Sequence, residues 1–86
     1  MPAPRSPRHV AFGRALRQLR TERRLTQEAF GELASVDRTY VSGVERGLRN
    51  VSLEMIHKLA RGLDMPPSEL LRHAEGLKAQ GLLPRG

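Results

Sequence analysis

Residues 37–46 combine apolar and hydrogen-bonding side chains at helical spacing. In a helix, Val41 and Val44 share one side with the rest of the apolar stripe. The hydrogen-bonding side chains off that stripe are Arg38, Thr39, Ser42 and Arg46. An arginine can bond O6 and N7 of a guanine together, and a threonine offers a hydroxyl and a methyl group to thymine. The pattern therefore predicts a helix that reads base edges in the major groove of DNA.

A second helical pattern stands immediately before this one, over residues 26–34. Thr26 and Asp37 are good N-cap residues for the two helices, because their side-chain oxygens can accept hydrogen bonds from free N–H groups at a helix start. Only two residues separate the end of the first pattern from Asp37, so the chain must turn sharply, and Gly31 allows the helices to cross closely. The arrangement predicts a helix-turn-helix.

The composition favours one small intracellular domain. The 86 residues are enough for a single aliphatic core, with 38% apolar residues and few aromatic ones. The absence of cysteine excludes disulfides and thiolate metal sites and fits a reducing cytosol. No apolar run is long enough to span a membrane, and residues 1–7 do not resemble a signal peptide. We therefore expect a cytoplasmic protein without a membrane segment.

The net charge of +6 is concentrated at the N-terminal end. Residues 1–24 contain seven arginines and one glutamate, whereas residues 25–86 contain eight basic and eight acidic side chains. Such an asymmetry favours a polyanion, and next to a helix-turn-helix that partner is double-stranded DNA. A basic helix face that serves only solubility is the alternative reading of the charge alone.

The remaining patterns predict three more helices and hence an all-α, compact five-helix domain. The first runs over about residues 8–24, the fourth follows an N-cap at Ser52, and the fifth opens at residues 66–69 and ends near Glu75, before Gly76. Residues 1–7 are expected to be a disordered basic, proline-rich arm, residues 8–75 the domain, and residues 76–86 a partly frayed tail. The predicted core is Phe12, Leu16, Leu19, Leu25, Phe30, Ala34, Val36, Val41, Val44, Leu53, Ile56, Leu59, Leu63, Met65 and Leu70.

The motifs over about residues 12–71 resemble the Cro/C1-type helix-turn-helix family of phage repressors and bacterial regulators. The segment 37–50 looks most like the controller proteins of restriction–modification systems, which are small dimeric transcription regulators. The resemblance implies a lambda-repressor-like DNA-binding fold. Three positions depart from the family pattern: Ser35 and Asp64 stand where glycine is usual, which predicts slight backbone strain, and Pro66 replaces a capping serine.

Arg38 is the residue expected to read a base, with Thr39 and Ser42 beside it; for Arg38 the alternative is a phosphate contact alone. The resemblance makes Gln27 a residue that bonds the DNA backbone and braces the recognition helix. Further phosphate contacts are expected from Tyr40, Arg46, Arg49 and Asn50. Partial core packing is an equal reading for Tyr40. Arg5, Arg8 and Arg14 reach either the adjacent DNA or solvent.

The resemblance assigns Arg20 and Glu45 to a partly buried ion pair between the first and third helices, not to DNA. A homodimer is expected because one short helix reads too few base pairs to define a site, and two-fold pairing makes the operator an inverted repeat. The predicted dimer interface is Met65, Leu70, Leu71, Ala74 and Leu77. Leu70 and Leu71 can instead cover the monomer core.

Catalysis is not expected, because His9, His57 and His73 lack metal-ligand spacing and no Gly-rich phosphate loop follows a strand. No cofactor or metal is expected. The main alternative function is a protein-interaction helix-turn-helix module of the antitoxin type, although its docking face would be apolar. A membrane-surface helix is the third reading. It is disfavoured because the apolar face of the first helix is needed by the core. A DNA-bound regulator either blocks RNA polymerase or contacts it, and the sequence leaves both open.

Overall fold

The computed structural model describes residues 6–79 and the side chains of residues 6–77. Within this range the chain forms five α-helices and no strand, as predicted. They are α1 Pro7–Glu22, α2 Gln27–Ala34, α3 Arg38–Glu45, α4 Leu53–Gly62 and α5 Pro67–Ala79. Residues 1–5 of the predicted arm and residues 80–86 of the predicted tail lie outside the described residues.

Four helices begin at a residue whose side chain accepts a hydrogen bond from the first turn. The acceptor and donor residues are Ser6 and His9, Thr26 and Ala29, Asp37 and Thr39, and Ser52 and Met55, at 2.9–3.2 Å. Each bond satisfies an N–H group that has no partner inside its helix. The caps at Ser6, Thr26, Asp37 and Ser52 therefore fix where the predicted elements start.

The first four helices end in the same way, with a left-handed residue followed by a backbone bond that returns to the last turn. The left-handed residues are Arg24, Ser35, Gly47 and Asp64, with φ of 58°, 60°, 76° and 58°. In each case the next N–H donates to a carbonyl five residues earlier, as from Leu48 to Gly43 at 3.0 Å. This is the Schellman motif, in which glycine is the least strained residue. The predicted replacements of glycine at Ser35 and Asp64 do adopt the strained conformation.

Two predicted helix boundaries were wrong. The first helix ends at Glu22 rather than Arg24, because Arg24 is left-handed and the Leu25 N–H turns back to the Arg20 carbonyl. The fifth helix does not end before Gly76 but continues to Ala79. One interior glycine costs a helix only about 1 kcal/mol, which the packing of α5 against α1 offsets.

The core lies between α1, which packs against α3 and α5, and α2, which packs against α3 and α4. Most of the predicted core is buried, including Leu16, Phe30 and Leu59 at 0% exposure. Leu53 is a wrong prediction: it is 72% exposed, because as the first residue after the Ser52 cap it lies at the outer end of α4. Leu25, Val36, Ile56 and Met65 are only half-buried at the edge of the core.

Candidate nucleic-acid interface

The turn between α2 and α3 brings the two helices into direct backbone contact. The Val36 N–H donates to the Gly31 carbonyl at 2.9 Å, and a Cβ on Gly31 would lie 2.6 Å from the Val36 carbonyl oxygen. That distance is shorter than any real contact allows, so residue 31 must be glycine for the turn to close. The predicted close crossing of the two helices at Gly31 therefore takes place at the turn itself.

Helix α3 has one buried and one solvent-facing side. Val41 and Val44 are 0% and 1% exposed, whereas Arg38 and Thr39 are exposed in the first turn. Ser42 is half-buried one turn later, and Arg46 is exposed at the end of the helix. The exposed first turn carries the two side chains that the sequence analysis assigned to base readout. In helix-turn-helix proteins bound to DNA, this end of the recognition helix contacts base edges. Base readout by these two side chains stays a prediction.

Arg20 and Glu45 form an ion pair that joins α1 to α3. Arg20 donates from Nε to Glu45 Oε2 at 2.6 Å and from Nη2 to Glu45 Oε1 at 3.0 Å. A third bond, from Nη1 to the Leu25 carbonyl at 2.6 Å, ties the guanidinium to the chain between α1 and α2. The side chains are 10% and 3% exposed, so neither group is available to DNA.

Gln27 lies beside this pair at the start of α2. Its Nε2 donates to Glu45 Oε1 at 3.0 Å, so its amide braces the end of α3 as the family resemblance implies. The carboxylate of Glu45 thus accepts bonds from two different helices. A backbone contact from Gln27 to DNA would come from the part of the amide that Glu45 leaves free, and that contact stays a prediction.

Gly13 allows α1 to touch the end of α3, a role that the sequence analysis missed. A Cβ on Gly13 would overlap the Val44 carbonyl oxygen and lie 2.9 Å from the Glu45 carbonyl oxygen. Both obstacles are backbone atoms, which cannot move aside as a flexible side chain can. The only sequence signal was a glycine inside an otherwise strong helix pattern, next to buried Phe12.

Tyr40, Gly43 and Arg49 form a cluster on the outer edge of α3. The Cζ atom of Arg49 lies 5.3 Å from the centre of the Tyr40 ring, within the range of a cation–π interaction. The ring is half-buried against the core, which confirms the reading of partial core packing, and a phosphate contact from Tyr40 stays a prediction. Burial raises the pKa of the Tyr40 hydroxyl above its ordinary value of 10.0, and the Arg49 charge acts in the opposite direction.

Gly43 lies beneath the Arg49 side chain. It is buried, and the Arg49 side chain lies over it, with Nε and Cγ at 3.0 and 3.2 Å from the position of an added Cβ. Asn50, the next residue, is exposed. The loop after α3 therefore folds back along this helix and adds Arg49 to its edge.

The predicted dimer residues divide between the core and the surface. Leu70 and Ala74 are 0% and 7% exposed, so both belong to the monomer core. This confirms the core assignment of Leu70, and both residues are wrong as interface residues. The reason is that α5 turns them toward α1, against which it packs. Leu71 is 42% exposed, while Met65 and Leu77 are half-buried.

Leu71 lies on an apolar groove that the sequence analysis did not foresee. The groove has a volume of about 400 Å³ and runs between α1, the loop after α3, α4 and α5. Its apolar walls include Phe12, Val51, Ile56 and Leu71. The side chains come from four distant parts of the chain, so no local pattern could have shown that they meet.

Residues 6–79 show neither of two other kinds of site. No three histidine or acidic side chains in this range could together hold a metal ion. No helix among the described residues is long and apolar enough to cross a membrane.

The chain is similar to known regulators over most of its length. The model of a helix-turn-helix domain matches residues 11–74. Control protein C.MunI of Mycoplasma sp is 43% identical over 67 residues, which cover 77% of this chain and 90% of the relative. Control protein C.BamHI of Bacillus amyloliquefaciens is 41% identical over 63 residues, which cover 72% and 78%.

A solved structure shows the same relationship. The restriction–modification controller protein C.AhdI from Aeromonas hydrophila is 56% identical and superimposes with a TM-score of 0.70. The match covers 72% of this chain and 94% of that one. The chain belongs to the helix-turn-helix family of DNA-binding transcription regulators that includes the control proteins of restriction–modification systems.

Proposed function

We propose that the protein binds an inverted-repeat operator as a homodimer, in the cytoplasm, and controls transcription as the restriction–modification controllers do. The observation that carries the proposal is the exposed first turn of α3. Arg38 and Thr39 project there from a helix whose other side is fixed to the core by Val41 and Val44. A rigid support with exposed hydrogen-bonding side chains is what direct readout in the major groove requires.

Arg38 makes the main base contact. It is the first residue of α3, so its guanidinium leads the helix into the groove. Thr39 and Ser42 complete the reading face, the first through its hydroxyl and methyl groups and the second through its hydroxyl. A bidentate contact between arginine and guanine discriminates against a wrong base pair by about 1–3 kcal/mol.

Phosphate contacts hold the helix in register on both sides of the groove. Gln27 lies at the start of α2, where free N–H groups and the helix dipole favour an anion. On the other side of the groove, the phosphate contacts come from Tyr40, Arg46, Arg49 and Asn50, which lie in α3 or in the residues that follow it. These contacts supply affinity and orientation rather than sequence preference.

The apolar groove beside Leu71 receives a second copy of this chain. Leu71 itself is exposed, and Met65 and Leu77, the other expected interface residues outside the core, are half-buried. A two-fold interface uses the same surface twice, so one exposed leucine and one groove on each protomer complement each other. Pairing would place two α3 helices about 34 Å apart, one turn of DNA, which makes the operator an inverted repeat.

The experiment that tests this function is selection from randomised duplex DNA at physiological salt. Wild type and Arg38→Ala are compared, with Arg61→Ala as the matched control, because Arg61 is an exposed arginine in the last turn of α4. We expect wild type and Arg61→Ala to enrich the same inverted repeat. Arg38→Ala should lose the preference at one base pair of each half-site.

Three results would contradict parts of the proposal. If no sequence is enriched and binding only weakens as salt rises, the protein binds DNA through charge alone, and the protein-interaction module is favoured. Enrichment of a single half-site without its repeat would contradict binding as a homodimer. An unchanged preference in Arg38→Ala would reduce Arg38 to a phosphate contact. Whether the bound dimer also contacts RNA polymerase follows from transcription in vitro with the selected operator.

A further inference from the structure

The Arg49 side chain lies on α3 at the one position where that helix has no side chain. An added Cβ on Gly43 would come within 3.0 Å of Arg49 Nε, 3.2 Å of Cγ and 3.6 Å of Cδ. Real Cβ atoms rarely approach other atoms as closely as the first two distances. The Arg49 stem therefore occupies space that any other residue at position 43 would take.

The end of α3 brings Arg49 back to Gly43. Gly47 is left-handed, and the Leu48 N–H donates to the Gly43 carbonyl at 3.0 Å. The same motif closes α1, α2 and α4. At α3 the chain reverses at Gly47, two residues before Arg49, and so directs Arg49 back toward the helix. The missing Cβ of Gly43 then leaves room for the Arg49 side chain.

The head of the arginine is held as well as its stem. Its Cζ lies 5.3 Å from the centre of the Tyr40 ring, which is itself half-buried against the core. Tyr40 precedes Gly43 by three residues, nearly one helical turn, so ring and glycine lie side by side on the helix surface. Gly43 lies under the aliphatic part of the Arg49 side chain and Tyr40 lies against its guanidinium, so together they hold this long, flexible side chain in one position.

We propose that Gly43 is a positioning residue for DNA binding. It leaves room for the Arg49 side chain along α3, so the guanidinium of Arg49 is already ordered when it contacts a phosphate. The inference rests on the proposed function, since it assigns Gly43 to the same DNA interface. Arginine side chains carry about 2 kcal/mol of rotamer entropy, so a preformed seat strengthens binding. The role of Gly43 is thus to make room for a neighbouring side chain, and DNA need not touch it.

Gly43→Ala should change stability and operator affinity in opposite directions. Alanine favours a helix interior over glycine, so the variant should unfold at an equal or higher denaturant concentration than wild type. The new Cβ displaces Arg49, which can move because its far end is flexible. We expect affinity for the selected operator to fall about tenfold per protomer, as for the loss of one charge-assisted hydrogen bond.

Two readouts separate this role from a merely structural one. The slope of log affinity against log salt should become shallower by about one for each protomer bound, because one phosphate contact is lost. In the protein without DNA, the Arg49 side-chain proton resonances should lose the displacement that the Tyr40 ring current causes. Tyr40 is the single tyrosine of the chain, which makes its ring protons easy to assign by NMR.

A double-mutant cycle with Arg49→Ala decides whether Gly43 acts through Arg49. In the Arg49→Ala background, Gly43→Ala should have no further effect on affinity, because the side chain that it displaces is gone. An equal loss in both backgrounds would overturn the proposal and mean that the new Cβ meets DNA directly. Unchanged Arg49 resonances in Gly43→Ala would also overturn it.

Gly76→Ala is the matched control, because Gly76 is also inside a helix and a Cβ there meets nothing within 4 Å. It should raise stability in the same way and leave the Arg49 resonances and the salt slope unchanged. A wild-type protein that binds no selected DNA would instead refute the proposed function. The NMR readout would still report whether Gly43 seats Arg49.

Discussion

The two sides of α3 obey different constraints, although the helix has only eight residues. The inner side is fixed by buried Val41 and Val44 and by Glu45, whose carboxylate accepts bonds from both Arg20 and Gln27. The outer side exposes Arg38 and Thr39 to solvent.

This difference separates stability from recognition. A substitution on the inner side changes buried contacts and should lower the free energy of unfolding. A substitution on the outer side changes little in the unbound protein, and its effect appears when DNA binds. A protein of this kind can therefore acquire a new operator through its outer residues while its fold stays the same.

Glu45→Ala should produce the largest effect, because it breaks the inner side at its most connected residue. Arg20 would remain buried with its main partner gone, and loss of one member of a buried ion pair costs about 3–5 kcal/mol. We expect the free energy of unfolding, measured by urea denaturation, to fall by this amount. Operator affinity should fall only as far as the folded fraction does.

Glu32→Ala provides the control, since Glu32 is an exposed glutamate on neighbouring α2. Its effect should stay within about 0.5 kcal/mol. A Glu45→Ala variant as stable as wild type would show that the ion pair does not fix α3 and would remove the contrast between the two sides.

Gly13→Ala should be the next largest effect. The new Cβ would overlap the Val44 carbonyl oxygen, so α1 and α3 must move apart. Overpacking of this kind typically costs about 1–3 kcal/mol and outweighs the better helix propensity of alanine. Gly76→Ala, the same change on α5 without neighbours, should instead stabilise the protein. Thermal unfolding of the two variants would differ in sign, and stabilisation by both would contradict the close approach.

Gly13 also shows what the sequence could and could not predict. The number and order of the helices followed from local signals: apolar spacing and the caps at Thr26, Asp37 and Ser52. The exposure of Arg38 and Thr39 on α3 followed from the same spacing. These features depend on residues a few positions apart, and a single sequence contains them.

Contacts between distant residues were harder to predict. The approach of Gly13 to Val44 and the groove beside Leu71 arise when separate elements pack together. The Arg20–Glu45 assignment came from family resemblance and not from spacing. Ala74 was assigned to the interface, and Leu70 both to the core and to the interface, because an apolar residue on a helix reads alike whether it faces the core or a partner.

Ser35→Gly should have a smaller effect, and of the opposite sign, at the turn that sets α3 against α2. Ser35 is exposed with φ of 60°, a conformation that costs a residue with a Cβ about 1–2 kcal/mol. Glycine relieves that strain but loses more entropy on folding, so the expected gain is about 1 kcal/mol. The outer side of α3 is untouched, so the selected operator should not change.

Ser68→Gly, an exposed serine in the first turn of α5, makes the same change without left-handed strain and should lower stability slightly. Denaturation curves of the two variants would therefore shift in opposite directions. A loss of stability in Ser35→Gly would mean that the serine relieves the strain at the turn in some other way.

Tyr40 is half-buried between the inner and outer sides of α3. The smallest expected effect is a change in the pKa of its hydroxyl. Burial raises its pKa above 10.0, and the Arg49 charge beside the ring lowers it in part. The folded state therefore prefers the neutral hydroxyl: its contribution to stability is complete below pH 10.0 and is lost as pH rises through the folded-state pKa. Arg49→Ala should raise that pKa further, because only the effect of burial remains.

The absorbance of tyrosinate checks this sign directly, since the chain has one tyrosine and no tryptophan. Arg46→Ala removes the same charge from the end of α3, where the residue does not lie over the ring, so its titration curve should move less. Tyr40→Phe should abolish the absorbance change. A pKa that falls in Arg49→Ala would mean that burial of the ring depends on Arg49, and that the boundary between the two sides of α3 moves when this side chain leaves Gly43.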